Sequence, residues 1–151
     1  MTVFRIFSIA ILLVPPLVFS SKSAAADRCS GAETAVTRLR TWAGVAEWYD
    51  RFSRCDDGCV AEELDRRLTG MLASDWTSVT ELRDLTEGQA RFKRFVLKHL
   101  GGDAPPAQLR KVRASASRSC PAGVDAFCRE ISTAVARGLA EQSAAAKAVK
   151  Q

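Results

Sequence analysis

"CVAEELDRRLTGMLASDW", residues 59 to 76, decides the fold. Val60, Leu64, Leu68, Met71 and Leu72 recur at three and four residues, a spacing that gathers side chains on one face of an α-helix. A strand would need alternation with period two, and no segment of useful length in the chain shows it. Working toward the N-terminus, "GAETAVTRLRTWAGVAEWYDRF" (31 to 52) keeps the helical period through Val36, Leu39, Trp42, Ala43, Ala46, Tyr49 and Phe52. It predicts one long amphipathic first helix. Trp42 and Tyr49 serve one stripe of that helix, and Val45, Trp48 and Phe52 an adjacent one, so its apolar surface exceeds what one packed neighbour covers.

Toward the C-terminus, "SVTE" (78 to 81) has the pattern of a capping box, with Ser78 accepting from an amide and Glu81 reaching back. A further helix near Glu87 to Leu100 presents Phe92, Phe95, Val96 and Leu100, and Gly101 and Gly102 stop it. "DAPPAQLRKV" opens another helix on its prolines. After "SCPAG" a last helix carries Val124, Phe127, Cys128, Ile131, Val135 and Leu139. The expectation is an all-α, compact single-domain bundle of about six helices.

Between the first two amphipathic segments lies "CDDGC" (55 to 59), which reads as a helix start. Asp56 or Asp57 can cap exposed amides at the positive end of the helix dipole, and Gly58 relaxes the junction. Zinc would need four Cys or His ligands at recurrent short spacings, and the chain has 1 His. Calcium would need more oxygen ligands than two aspartates supply, and its twelve-residue loop pattern is missing. Neither a metal nor a cofactor is expected.

Residues 1 to 26 have the parts of a secretory signal peptide: Arg5, the apolar run "IFSIAILLVPPLVFS", and small residues at Ala24 and Ala26 before Asp27. Pro15 and Pro16 make this run a poor spanning helix, and no other stretch is apolar enough to span a bilayer. Cleavage before Asp27 leaves residues 27 to 151, which is 125 residues and enough for one domain with a core. Taking Arg5 and Lys22 from the 22 basic side chains leaves 20 against 17 acidic ones, so the net charge falls from +5 to +3. The distribution is uneven: residues 47 to 65 carry seven acids against two arginines, and residues 91 to 118 carry eight bases against Asp103.

Five cysteines in an exported chain cannot all pair within one monomer. "CPAGVDAFC" lets Cys120 and Cys128 close a small loop, for which chain entropy gives about 2.5 kcal/mol. Cys29, Cys55 and Cys59 then leave one thiol over. Cys29 reaches either of the others only if the chain doubles back, and a Cys55 to Cys59 bridge needs a non-helical segment. The spacing leaves that choice open.

An enzyme needs a nucleophile, a base and an oxyanion site, and His99 is the only imidazole. It follows Phe92, Phe95 and Val96 on an apolar stripe, as a partly buried helix residue would. No glycine-flanked serine, phosphate loop or zincin helix occurs, and Glu62 and Glu63 are sequence neighbours that cannot flank one bond. A non-catalytic protein is expected. Arg110, Lys111, Arg113 and Arg118 lie on a basic segment without interleaved aromatics, which reads as a solvated face with no nucleic-acid role.

"CDDG" (55 to 58), "MLASDW" (71 to 76), "FVLKHL" (95 to 100) and "SCPAGVDAFCREI" (119 to 131) stand in an order that resembles the type VI secretion system amidase immunity proteins. The resemblance covers about residues 50 to 133, and Cys59 departs from it. It implies a periplasmic, helical homodimer that inhibits a papain-like cysteine amidase acting on peptidoglycan peptides. It also implies that a loop between helices enters the amidase cleft while the neighbouring subunit adds contacts. Local chemistry points to "LGGDAPP" (100 to 106) for that loop, because two glycines, an acid and two prolines make a short, stiffened projection. Gly101, Gly102, Asp103, Ala104, Pro105 and Pro106 are the candidate partner-binding residues. The alternative is a helical structural or scaffold protein of the envelope.

Overall fold

Seven α-helices and two 3-10 turns make up the regular structure of the described residues, and no strand occurs among them. The computed structural model describes Cys29 and residues 31–150. The expected leader, residues 1–26, and its cleavage site before Asp27 lie outside the described residues. The helices are α1 (Ala32–Val36), α2 (Trp42–Phe52), α3 (Gly58–Ser74), α4 (Val79–Thr86), α5 (Ala90–Lys98), α6 (Pro106–Arg118) and α7 (Asp125–Ala148). The all-α expectation holds. No helix among the described residues is long and apolar enough to cross a membrane.

The long first helix expected over 31 to 52 is two helices. Thr41 adopts an extended backbone and its hydroxyl accepts from the Gly44 amide at 3.1 Å, so α2 starts afresh at Trp42. Val36 before the break, Leu39 within it and Trp42 after it are all buried, which is why the apolar period runs through it undisturbed. The break turns α1 back across α2, where the Trp48 indole donates to the Ala32 carbonyl at 3.2 Å. Cys29 thereby meets Cys55, with Cα atoms 5.6 Å apart, in a disulfide. The chain doubles back as that pairing requires. Cys120 and Cys128 form the second disulfide, as expected, and Cys59 is free and exposed.

Leu64, Leu68 and Leu72 of α3 are buried at the centre, where α3 meets α6, and α6 packs in turn on α7 through Leu109, Val112, Ile131 and Val135. Both stripes of α2 are covered inside the chain: Trp42, Val45, Trp48 and Phe52 are buried, and Tyr49 lies against Phe92 and Phe95 with ring centroids 5.2 and 4.9 Å apart. The apolar surplus expected on α2 is therefore absent from the surface.

Two cap assignments differ from expectation. Helix α4 begins at Val79, but the Ser78 hydroxyl makes no cap; it accepts from the Trp42 indole at 3.0 Å and donates to the Asp75 carbonyl at 2.7 Å. Asp75 takes the capping role one turn earlier, accepting from the Thr77 amide at 3.1 Å. At α3, Asp57 occupies the N-cap without a side-chain hydrogen bond, while Gly58 takes the positive φ of 47° that the junction demands.

Both bridges fit an oxidising compartment outside the cytoplasm. The 26-residue separation of Cys29 and Cys55 closes a longer loop than the separation of 8 between Cys120 and Cys128. Chain entropy therefore predicts a loss of about 3.5 kcal/mol for the Cys29→Ser/Cys55→Ser pair, against about 2.5 kcal/mol for Cys120→Ser/Cys128→Ser. Urea unfolding of the oxidised variants checks the order, and non-reducing peptide mapping should find Cys59 alone alkylated.

Candidate binding loop and its buried support

Residues 99 to 105 connect α5 to α6, and their path is set by side chains from α3 and α7. Asp65 faces inward from α3, between Leu64 and Leu68, and is 9% exposed. Its Oδ1 lies 2.6 Å from His99 Nδ1, and its Oδ2 accepts from the Asp103 amide at 3.0 Å. A carboxylate only accepts, so Nδ1 carries the donated proton. His99 caps the end of α5, is 1% exposed, and sets its ring edge-on to Phe95 with centroids 4.7 Å apart.

The other face of the imidazole meets a second carboxylate. His99 Nε2 lies 3.1 Å from Asp56 Oδ1, without the alignment of a hydrogen bond. Asp56 is turned away from the helix start it was expected to cap, and its Oδ2 accepts from Lys98 Nζ at 2.7 Å. Asp56, His99 and Asp65 thus form a carboxylate–imidazole–carboxylate row, with His99 and Asp65 buried and Asp56 at its half-buried end. No group of three or more His, Cys, Asp or Glu among the described residues is arranged to hold a metal ion. Here the imidazole itself separates the carboxylates, and a ring so enclosed presents no nitrogen to a substrate.

From this row outward, each end of the loop is fixed. Gly102 has φ 44°, and a Cβ there would overlap Asp65 Oδ2, so only glycine lets the chain pass so close to the carboxylate. Gly101 lies against Gly138 of α7, where a Cβ on Gly138 would overlap the Gly101 Cα. Gln142, one turn further along α7, donates through Nε2 to the Gly102 and Ala104 carbonyls, the latter at 2.8 Å. The Ala104 amide closes a turn onto the Gly101 carbonyl at 2.9 Å. Pro105 then holds the N-cap and Pro106 the first position of α6.

Of the six candidate residues, the structure buries Gly101 and Ala104 and exposes Gly102, Asp103, Pro105 and Pro106. Gly101 and Ala104 lie inside, Gly102 is exposed but fixed by Asp65 and Gln142, and Asp103, Pro105 and Pro106 form the outward surface. Sequence reasoning missed Asp65, Asp56 and Gln142 as its supports. An aspartate next to Leu64 on the apolar stripe of α3, in a chain with a single histidine, was the one available signal for the first of them.

The outer side of α3 carries a different electrostatic unit. Glu63 accepts from Arg67 Nε at 2.6 Å and from Arg66 Nε at 3.0 Å. Burial alone would push the Glu63 carboxyl up, but the hydrogen bonds and charges of Arg67 and Arg66 outweigh it and hold the group below its ordinary value of 4.5. A lowered folded value means that the stabilisation is complete above the unfolded value and is lost as pH falls through the folded one.

Compared with known protein families, with curated proteins and with solved structures, the chain matches none.

The site makes a discriminating prediction. Asp65→Ala leaves His99 facing an empty place in the core and should cost about 3–5 kcal/mol, and Gly102→Ala should cost more than about 1 kcal/mol. Asp103→Ala, which keeps the bound amide and removes only an exposed side chain, should stay within about 0.5 kcal/mol. Hydrogen exchange at the residue 103 amide should accelerate in the first two and not in the third. Glu63→Gln should lower stability by about 0.5 kcal/mol at neutral pH, and the difference from the parent should vanish in acid, as thermal melts at the two pH values would record.

Proposed function

We propose that this protein is a non-catalytic periplasmic immunity protein that binds a papain-like peptidoglycan amidase delivered by type VI secretion and occupies its cleft. The reading rests on the resemblance carried by residues 50 to 133, and one structural observation supports it above the rest. A loop of six residues is anchored from α3 and α7 while Gly102, Asp103, Pro105 and Pro106 face solvent. Such a projection enters a narrow groove with little ordering left to complete, which is the main cost that limits loop binding. Exclusion of substrate needs no catalytic group on the inhibitor. The two disulfides agree with an oxidising address. A homodimer belongs to this reading, assembled through a surface other than the two stripes of α2, which are covered.

The test separates binding chemistry from folding. Replacing Asp103 by Lys together with Pro105→Ser and Pro106→Ser alters the exposed rim and leaves the Asp65 acceptor, the Gly101–Gly138 contact and Gln142 in place. Inhibition of the cognate amidase should weaken at least about tenfold, corresponding to about 1.4 kcal/mol. Circular dichroism should be unchanged, and the two Pro→Ser replacements should together cost no more than about 2 kcal/mol of stability. Undiminished inhibition would make this loop a connector and move the search to "ASDWTSV" at 73 to 79. If no papain-like amidase co-purifies with the parent protein or is inhibited by it, the envelope scaffold reading takes over.

A further inference from the structure

The Cys29–Cys55 bridge ends one residue short of the row that supports the loop. Cys55 closes the 3-10 turn Ser53–Cys55, and its carbonyl accepts from the Asp57 amide at 3.0 Å. Asp56, with φ −80° and ψ 73°, is the centre of the inverse γ-turn so formed. That turn delivers the Asp56 side chain to the end of α5, where Oδ2 accepts from Lys98 Nζ at 2.7 Å and Oδ1 lies 3.1 Å from His99 Nε2. From there the contacts run on to the loop: His99 Nδ1 donates to Asp65 Oδ1 at 2.6 Å, and Asp65 Oδ2 accepts from the Asp103 amide at 3.0 Å.

Asp56 occupies an unfavourable place for a carboxylate. Its side chain is 12% exposed, and its Oδ1 is buried without a hydrogen bond, as is His99 Nε2 opposite. A buried acceptor without a donor gains by moving into water, so Asp56 stays only where its backbone is held. Lys98, with a side chain 59% exposed, holds it weakly. Cys55 is the firm restraint, being buried and bonded to Cys29, which the fold-back of α1 brings alongside. Once Asp56 leaves, water reaches Nε2 and offers the imidazole a second partner. The ring is then free to turn away from Asp65, and the carboxylate that holds the Asp103 amide loses its own fixed neighbour.

We propose that the Cys29–Cys55 bridge is a redox-sensitive latch on the 101 to 106 loop, acting through Asp56. A dithiol reductant opens it. The reductant's thiolate attacks the sulfur of Cys29, the less buried of the pair, and the S–S electron pair leaves on Cys55, which takes up a proton. The second thiol of the reductant then displaces Cys29 from the mixed disulfide. Two electrons and two protons pass to the cysteine pair, and the reductant becomes a disulfide. The latch is closed only in an oxidising compartment. Its role in inhibition rests on the reading proposed above, in which the loop becomes firm enough to fill a cleft only after export; the latch itself is a property of this chain alone.

Hydrogen exchange at the residue 103 amide, followed by NMR in a Cys59→Ser background that prevents thiol rearrangement, tests it. Local opening is told from unfolding because exchange at 103 then stays faster than at the Leu68 amide in the core and does not respond to low urea. Local exchange at 103 should accelerate about tenfold in Cys29→Ser/Cys55→Ser and to the same extent in Asp56→Ala, which keeps both bridges. Cys120→Ser/Cys128→Ser, which removes a bridge outside the row, should leave it unchanged. Combining Asp56→Ala with Cys29→Ser/Cys55→Ser should add nothing further. Unchanged exchange at 103 without the Cys29–Cys55 bridge overturns the proposal, as does exchange there that only tracks Leu68. So does an equal rise without the Cys120–Cys128 bridge, which would mean general loosening, or a second tenfold rise in the combined variant, which would place the route outside Asp56. If Cys29→Ser/Cys55→Ser does not fold, Asp56→Ala decides alone: acceleration at 103 supports the latch and parental exchange overturns it. None of these readouts involves an amidase, so the latch stands or falls separately from the inhibitory reading.

Discussion

A carboxylate drawn out of water requires a donor for each oxygen, and Asp65 is where this molecule meets that requirement. Its two oxygens are answered from residues 99 and 103, on either side of the turn that ends α5. Apolar packing is non-directional, and a leucine at position 65 could fill the same space while leaving the loop free to choose its path. The carboxylate instead fixes where the loop begins to turn. Gly102 follows as a consequence, because the backbone passes too close to Oδ2 for any side chain. Gly101 and Gly138 follow next, since a loop held down on α3 runs against α7 with no room for a Cβ. Gln142 then donates to the two carbonyls, of Gly102 and Ala104, that this path turns toward α7.

The disulfide between Cys29 and Cys55 imposes a comparable constraint at the other end of the domain. It draws the region before α1 onto the end of α2, and the straight helix that the apolar period suggests could not reach. The break at Thr41 is the solution, and it leaves residues 37 to 40 as a turn in which Thr37, Arg38 and Arg40 are exposed and Leu39 is buried. Arg40 is held there by carbonyls that the broken helix no longer satisfies internally. Its fixed orientation is thus a product of the same fold-back that buries Val36 and Leu39.

What the sequence made legible was the apolar period. Leu64, Leu68 and Leu72, or Phe92, Phe95 and Val96, identify helices because burial repeats with the helical turn. The glycine stop after α5 and the proline start of α6 were legible for similar local reasons. The period could not reveal the break at 37 to 41, since Val36, Leu39 and Trp42 keep the spacing of a continuous helix although Leu39 sits within the turn. Nor could local patterns assign polar partners. Asp56 and Ser78 have the residue types and positions of caps, yet Asp56 serves Lys98 and His99, and Ser78 serves Trp42, at separations of 36 to 43 residues. Capping is a local competition, and a buried donor elsewhere in the fold can win it. The loop was recognisable from its glycines and prolines; its anchors were not, because Asp65 and Gln142 lie on helices that only the tertiary fold brings together.

The same arrangement separates the frame of the loop from its outward chemistry. Asp103 contributes its amide to the frame and its carboxylate to solvent, so the group that holds the loop is one that every residue except proline possesses. Pro105 and Pro106 stiffen the descent into α6 without offering a donor to anything inside. On the proposed inhibitory reading, Asp103, Pro105 and Pro106 can therefore be exchanged to suit a different cleft while Asp65, His99, Gly101, Gly102 and Gln142 keep the loop in place. Selectivity toward a partner becomes a property of a few exposed side chains, and the stability of the domain becomes a property of a buried row that no partner touches. A loop built from its own local interactions alone would lack this separation, because each change at its tip would also change its shape.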